Sequence, residues 1–415
     1  MRTENPGSHD GLILRSGRVL TPLGWLAGAD ILVREGRLVA IGHDLAAQAG
    51  DAPHVDLSGQ IVAPGFVDLH VHGALGHDVM DATMGGLGRL LAYHAAGGTT
   101  ALLATTATSA RHDLVAALEC LRQAQREQAD GPPTGAQLLG AHVEGPYLSP
   151  TKPGCHLRQY LRDPNPWDDA VLFEFADVVR HVTLAPERAG ALDLIERLAS
   201  AGITPSMGHT EAIEPVIRAA LQRGLRHATH LYNAMSRATK VGLSRVPGAV
   251  EVALAEDGMT TEVIADGHHV APTLIRLAVK AKGAAGLCVV TDAMRAAGMP
   301  AGEYTFGPRD GTPVRVQDGI ACTLDGASLA SSVTPMDTMV RFLVQEVGLP
   351  LEVAVTMAAT TPARVAGVDA RKGTIMVGKD ADLVVLDEDL YVAMTLVGGQ
   401  VVYQRTGQAS DLRTQ

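Results

Sequence analysis

A (β/α)8 TIM-type barrel carrying a small β-sandwich domain made from both chain ends is the fold this sequence predicts. Three observations lead there: eight apolar strand-like runs, Ala- and Leu-rich helical stretches between most of them, and short-stranded segments at either end of the chain. Parallel strands joined by helices must be covered on both faces, and eight such units close into a barrel whose functional end lies at the C-terminal tips of the strands.

The opening segment, residues 1–63, contains "GLILRSGRVL", "ADILVREGRLVAIG" and the start of "HVDLSGQIVAPG". "REGR" between two apolar runs predicts a hairpin turn, with Gly36 supplying positive φ. A similar texture returns in residues 369–415, in "GTIMVGKDADLVVLDEDLYVAMTLVGGQVVYQR", and pairing of the two segments makes one small domain. Residues 64–368 form the barrel. Its strands, in order, are "QIVAPGFVDLHVH", "TTALLAT", "QLLGAHVEG", "HVTLAPE", "ITPSMGH", "RHATHL", "TTEVIAD" and "GLCVVTD". Between them, "HDLVAALECLRQAQREQ", "ALDLIERLASAG", "EPVIRAALQRG" and "PTLIRLAVKAKG" read as helices, three of them ending in Gly.

Bulk properties narrow the function. A net charge of −11 leaves no basic stripe to neutralise phosphates, which argues against nucleic acid as a partner. A local pocket for one phosphate stays open. Cys120, Cys155, Cys288 and Cys322 are scattered without a CxxC pair, which favours reduced thiols in a cytoplasmic protein. The N-terminal "MRTENPGSHD" has no apolar signal region and no run is long enough for a membrane span.

Polar residues recur at the strand ends. In "VDLHVHG", Asp68, His70 and His72 leave one face of a strand while Val67, Leu69 and Val71 leave the other. Strand three ends with His142 and Glu144, strand five with His209, strand six carries His227 and His230, and strand eight ends at Asp292. Imidazole and carboxylate suit zinc, iron, cobalt or manganese. A lone strand histidine is more often a satisfied core group, which is the expectation for His142 and His227; Asp68 reads as structural. The combination is different, because burying so many titratable groups without a cation costs several kcal/mol each. A metal site follows.

On "PGFVDLHVHG", "HVEGPYLSPTKPGCH", "VTLAPE", "GHT", "HLYNAM", "RVPG", "IADGHHV", "VTDAM" and "GTIMVGKDADLVVLD", the chain resembles the amidohydrolase superfamily and, within it, the N-acetylglucosamine-6-phosphate deacetylase family. Many amidohydrolases carry a metal-bridging lysine at the end of strand four; none of the six lysines here falls there, and Glu144 looks like the substitute. The resemblance implies Glu144, His209 and His230 as ligands of a principal divalent metal, zinc before iron, cobalt or manganese. His70 and His72 would help hold a second ion, with Glu144 bridging, so that each subunit takes one or two. Thr210 stands where serine is expected after the strand-five histidine. The family's roles make Asp292 the catalytic base and later acid, and His156 the group that binds and stabilises the carbonyl oxygen. Asn233, Ala234, Arg245 and His269 would meet the substrate's phosphate. The segment before Arg245 is about four residues longer than the family pattern, which keeps Arg237 as an alternative. Cys155, beside His156, reads as a small residue near the mouth of the site.

The implied substrate is a phosphorylated amino sugar, N-acetyl-D-glucosamine 6-phosphate, cleaved to D-glucosamine 6-phosphate and acetate in amino-sugar catabolism or cell-wall recycling. The galacto epimer is the nearest alternative, followed by another metal-dependent amidohydrolase and by a non-catalytic sugar-phosphate-binding barrel. The resemblance also implies a homodimer whose phosphate site is shared across subunits.

Overall fold

The computed structural model describes residues 11–406 of the 415-residue chain; the polar ends "MRTENPGSHD" and "QASDLRTQ" lie outside the described residues. Eight parallel strands succeed one another in sequence order: β1 (Phe66–Val71), β2 (Thr99–Thr106), β3 (Gln137–Glu144), β4 (Val179–Leu184), β5 (Thr204–Met207), β6 (His227–Ala228), β7 (Thr260–Ile264) and β8 (Leu287–Val290). The barrel closes just past β8, where the Asp292 N–H donates to the His70 carbonyl at 2.9 Å and the His72 N–H to the Ala293 carbonyl at 2.8 Å. Amphipathic helices such as Arg111–Asp130, Ala191–Ser200 and Pro272–Lys282 cover the outside. The alternation in β1 holds: Val67, Leu69 and Val71 join the apolar core shared with these helices, while Asp68, His70 and His72 are buried among the polar groups of the interior.

Strands β5, β6 and β8 stop short of the runs expected from sequence. His209, His230 and Asp292, each just beyond its strand, have φ of 46°, 32° and 46°. Non-glycine residues seldom adopt this left-handed region, and its strain is concentrated at functional positions. The bend re-aims each side chain over the barrel mouth.

Both chain ends meet in one eight-stranded sheet, in which Ile61–Pro64 pairs with Leu383–Leu386 and with Gly11–Thr21. It buries its own core, including Leu14, Ile31, Val62, Leu383 and Leu396. The Arg34–Arg37 hairpin is as expected, with Glu35 and Gly36 at φ 48° and 73°. An antiparallel three-stranded insertion (Gly302–Phe306, Thr312–Gln317 and Ile320–Thr323) follows β8 and brings Phe306 against the site. The alternation in "TPVRVQ" is its clearest sequence signal, overlooked when the strands of the barrel are sought.

Candidate metal centre

Six side chains from five strand ends converge at the barrel mouth. Glu144 Oε1 lies 3.2 Å from His209 Nε2 and 3.1 Å from His230 Nε2, and the two nitrogens are 3.0 Å apart. Glu144 Oε2 faces the other way, 3.5 Å from His70 Nε2 and 3.2 Å from His72 Nε2. Those two nitrogens also lie 3.5 and 3.4 Å from Asp292 Oδ1. Two groups able to hold a metal ion therefore share Glu144 between them: Glu144, His209 and His230, and His70, His72 and Asp292. All six residues are buried.

Hydrogen bonds on the far side of two rings test whether these donor atoms suit a cation. His209 Nδ1 donates to the Lys152 carbonyl at 2.7 Å, so its Nε2 presents a lone pair. That lone pair faces Glu144 Oε1, another acceptor. His70 Nδ1 likewise donates to Glu262 Oε2 at 3.1 Å, which turns its Nε2 lone pair toward Glu144 and Asp292. Acceptors aimed at one another from 3.2 to 3.5 Å in a buried site repel unless a positive charge lies between them. The residues fit a divalent ion at both positions.

Electrostatics agree. Burial raises the carboxyl of Glu144, but the charge of His70 and the hydrogen bond from His156 outweigh it and hold the group well below the carboxylate range. Burial acts on Asp292 in the same way, yet His70 and His72 draw it down to about 2. The carboxylates lift His72 to about 9 against the pull of burial. Where no ion stands between them, His70 and His72 take up protons to supply the positive charge these carboxylates draw; a bound ion would supply it instead and leave both rings neutral.

The remaining predicted residues sort by position. His156 Nε2 lies 3.0 Å from Glu144 Oε2. Asn233, Ala234 and His269 line the same cavity of about 840 Å³ as Glu144, His209, His230 and Asp292. Asp266 accepts the His269 Nδ1–H at 2.7 Å, and His269 rather than His268 lines the cavity. Arg245 is not brought there: it lies exposed on the hairpin of Thr239–Val241 and Ser244–Val246. Arg237 lines an adjoining cavity of about 510 Å³ that shares Lys152 and Ala234 with the first. The Thr210 hydroxyl donates to Glu187 at 2.5 Å and accepts from the Ala212 N–H, a role that serine could also fill. Gly154 packs so close that a Cβ there would stand 2.9 Å from His209.

His142 and His227 are satisfied interior groups. His142 bonds the Leu69 carbonyl and the Thr183 hydroxyl, and burial lowers it to about 3. His227 bonds Thr260 and Glu262. Asp68 ties β1 to β8 through the Thr291 hydroxyl at 2.5 Å, and burial raises its carboxyl to about 7. Burial also pushes the Cys155 thiol well above its ordinary value, so it stays protonated. Sequence reading missed Glu262, Thr108, Ser331 and the Lys152 carbonyl. Only Glu262 left a trace, as a carboxylate inside the apolar run "TTEVIAD".

A closed barrel gathering imidazoles and carboxylates around two cation-sized positions is the architecture of a metal-dependent hydrolase. The sequence model of the Amidohydrolase family matches residues 61–402, and the chain belongs to that family. It is similar to N-acetylglucosamine-6-phosphate deacetylase of Bacillus subtilis, with 36% identity over 83% of this chain and 85% of the relative. It is also similar to N-acetylgalactosamine-6-phosphate deacetylase of Escherichia coli, with 35% identity over 94% and 98%. A solved structure of the Mycobacterium smegmatis N-acetyl-D-glucosamine-6-phosphate deacetylase, in complex with N-acetyl-D-glucosamine 6-phosphate, superposes with a TM-score of 0.86 at 34% identity, covering 95% of this chain and 100% of that one.

Proposed function

We propose that this chain hydrolyses N-acetyl-D-glucosamine 6-phosphate to D-glucosamine 6-phosphate and acetate. The observation that carries the reading is that Glu144, His209, His230 and Asp292, backed by His70 and His72, line one cavity with Asn233, Ala234 and His269. Glu144, His209 and His230 would hold the principal ion, and His70 and His72, with Asp292 beside them, would hold a second one next to the other oxygen of Glu144. Zinc suits this donor set, as do iron, cobalt and manganese. A bound divalent ion supplies Lewis acidity and brings the pKa of a water toward about 7.

Asp292, held ionised, takes the proton of the water that attacks the acetyl carbonyl carbon. As the C–N bond breaks, it returns that proton to the amine nitrogen, which leaves poorly without one. The Ser331 hydroxyl, 3.2 Å from Asp292 Oδ1, orients the carboxylate. His156 presents its Nε2–H to the carbonyl oxygen as negative charge develops there. Asn233, the Ala234 backbone and His269 receive the phosphate.

Arg245 meets the phosphate of a partner subunit's substrate in a homodimer. In support, it sits on a projecting hairpin whose Leu243 is 96% exposed and Val241 50% exposed. Unpaired Cys120, Cys155, Cys288 and Cys322 fit a cytoplasmic setting, and among the described residues no helix is long and apolar enough to cross a membrane.

Acetate release measured in parallel on the gluco and galacto 6-phosphates tests the reading. A galacto preference of tenfold or more would transfer the assignment to the epimer, which the Escherichia coli relative keeps in view. Turnover unchanged in both Arg245→Ala and His269→Ala would sink the phosphate assignment.

A further inference from the structure

Glu262 is a carboxylate on β7, fully buried between the equally buried Thr261 and Val263. Taking a carboxylate out of water costs several kcal/mol, so it persists only where partners repay the loss. Its partners are three donors. Glu262 Oε2 accepts from His70 Nδ1 at 3.1 Å and from the His230 backbone N–H at 3.1 Å, and Oε1 accepts from His227 Nε2 at 3.3 Å. His70 and His230 belong to different ion positions, and 192 and 32 residues separate them from Glu262 in the chain.

His70 and His72 are not held alike. His70 is fixed in one tautomer by Glu262, with Nε2 turned to Glu144 and Asp292. His72 has a buried Nδ1 with no hydrogen-bond partner. His230 Nδ1 has none either, so the main chain, at φ 32° and gripped by Glu262, places that ring.

We propose that Glu262 is the positioning residue that couples the two ion positions and makes the His70–His72 pair a working second one. It acts through the ring of His70 on the second position and through the backbone of His230 on the first. The inference rests on the two-position reading above. Loss of such a carboxylate behind a ligating histidine commonly weakens metal binding by about 10–100-fold.

The test is cobalt binding to metal-stripped protein, followed by chelator competition and by the visible absorption of bound cobalt, without reference to turnover. Glu262→Gln keeps the shape but removes the charge, and its amide must face at least one of the three donors. The second cobalt equivalent weakens by about 10–100-fold, the first by less. Glu262→Asp, which restores the carboxylate, recovers part of the loss and stands in should the Gln variant fail to fold by circular dichroism. Both equivalents bound at wild-type affinity in these variants, or both weakened to the same extent, would overturn the role of Glu262. Fewer than two equivalents in the wild type would instead sink the two-position reading itself.

Discussion

The Nε2 of His156 lies 3.0 Å from Oε2 of Glu144. The Thr108 N–H points at the other ring nitrogen, Nδ1, from 3.2 Å. A backbone N–H can only donate, so Nδ1 accepts and Nε2 carries the proton. Burial, outweighing the pull of Glu144, lowers this imidazole to about 4, so it is a neutral donor at pH 7.

The His156→Ala variant therefore lowers kcat by about 10²–10³ and leaves KM little changed, because the lost bond strengthens only as the carbonyl oxygen gains charge. Steady-state acetate-release kinetics separate the two constants. A raised KM at wild-type kcat would make His156 a substrate-binding group alone.

On the proposed two-position reading, Glu144→Gln removes the carboxylate that serves both ion positions. Metal content of protein purified without added metal falls well below that of the wild type by elemental analysis. Turnover falls with it by roughly a thousandfold, the equivalent of several kcal/mol of lost metal assistance. Wild-type metal content in this variant would contradict the shared role.

His94, on helix Met84–Ala96, donates to the Gly73 carbonyl and is lowered by burial from 6.5 to about 4. Above pH 6.5 both folded and unfolded states hold it neutral. Below that the unfolded chain takes up a proton that the folded chain refuses, so stability is lost as pH falls from about 6.5 toward 4. At pH 5 the loss is roughly 2 kcal/mol. His94→Gln makes the fall in melting temperature between pH 7 and pH 5 smaller; an identical fall in both proteins counts against this account.

Lys372 is 3% exposed, bonded to Asp382 and 3.3 Å from Asp380 where the small domain meets the barrel. Lys372→Met leaves Asp382 buried with the Gly398 N–H as its remaining strong partner. About 3–5 kcal/mol of stability goes with it. Calorimetry checks this, and adding Asp382→Leu restores much of the difference if the uncompensated charge is the cause.

Much of the architecture was legible because it is written in local periodicity. The alternation in β1 places Val67, Leu69 and Val71 against the helices without reference to any other strand. The eight strands were found in order for the same reason. Strand ends were less legible: "RHATHL" reads as one strand, but pairing stops at Ala228, and the left-handed turn at His230 serves the site at the expense of the sheet.

Spacing alone marks His70 and His72 as a candidate pair, and residue types point to Glu144, His209, His230 and Asp292. What the sequence by itself determined was this supply of ligand-type side chains at strand tips, because chemistry and alternation are local properties. Tertiary structure alone decided which atoms face one another: that each oxygen of Glu144 serves a different pair of imidazoles, that a backbone carbonyl sets the tautomer of His209, and that Glu262 stands behind His70. It also left Arg245 outside the cavity of its own chain. Those relations join residues tens to nearly two hundred positions apart, and only closure of the barrel brings them within hydrogen-bonding distance.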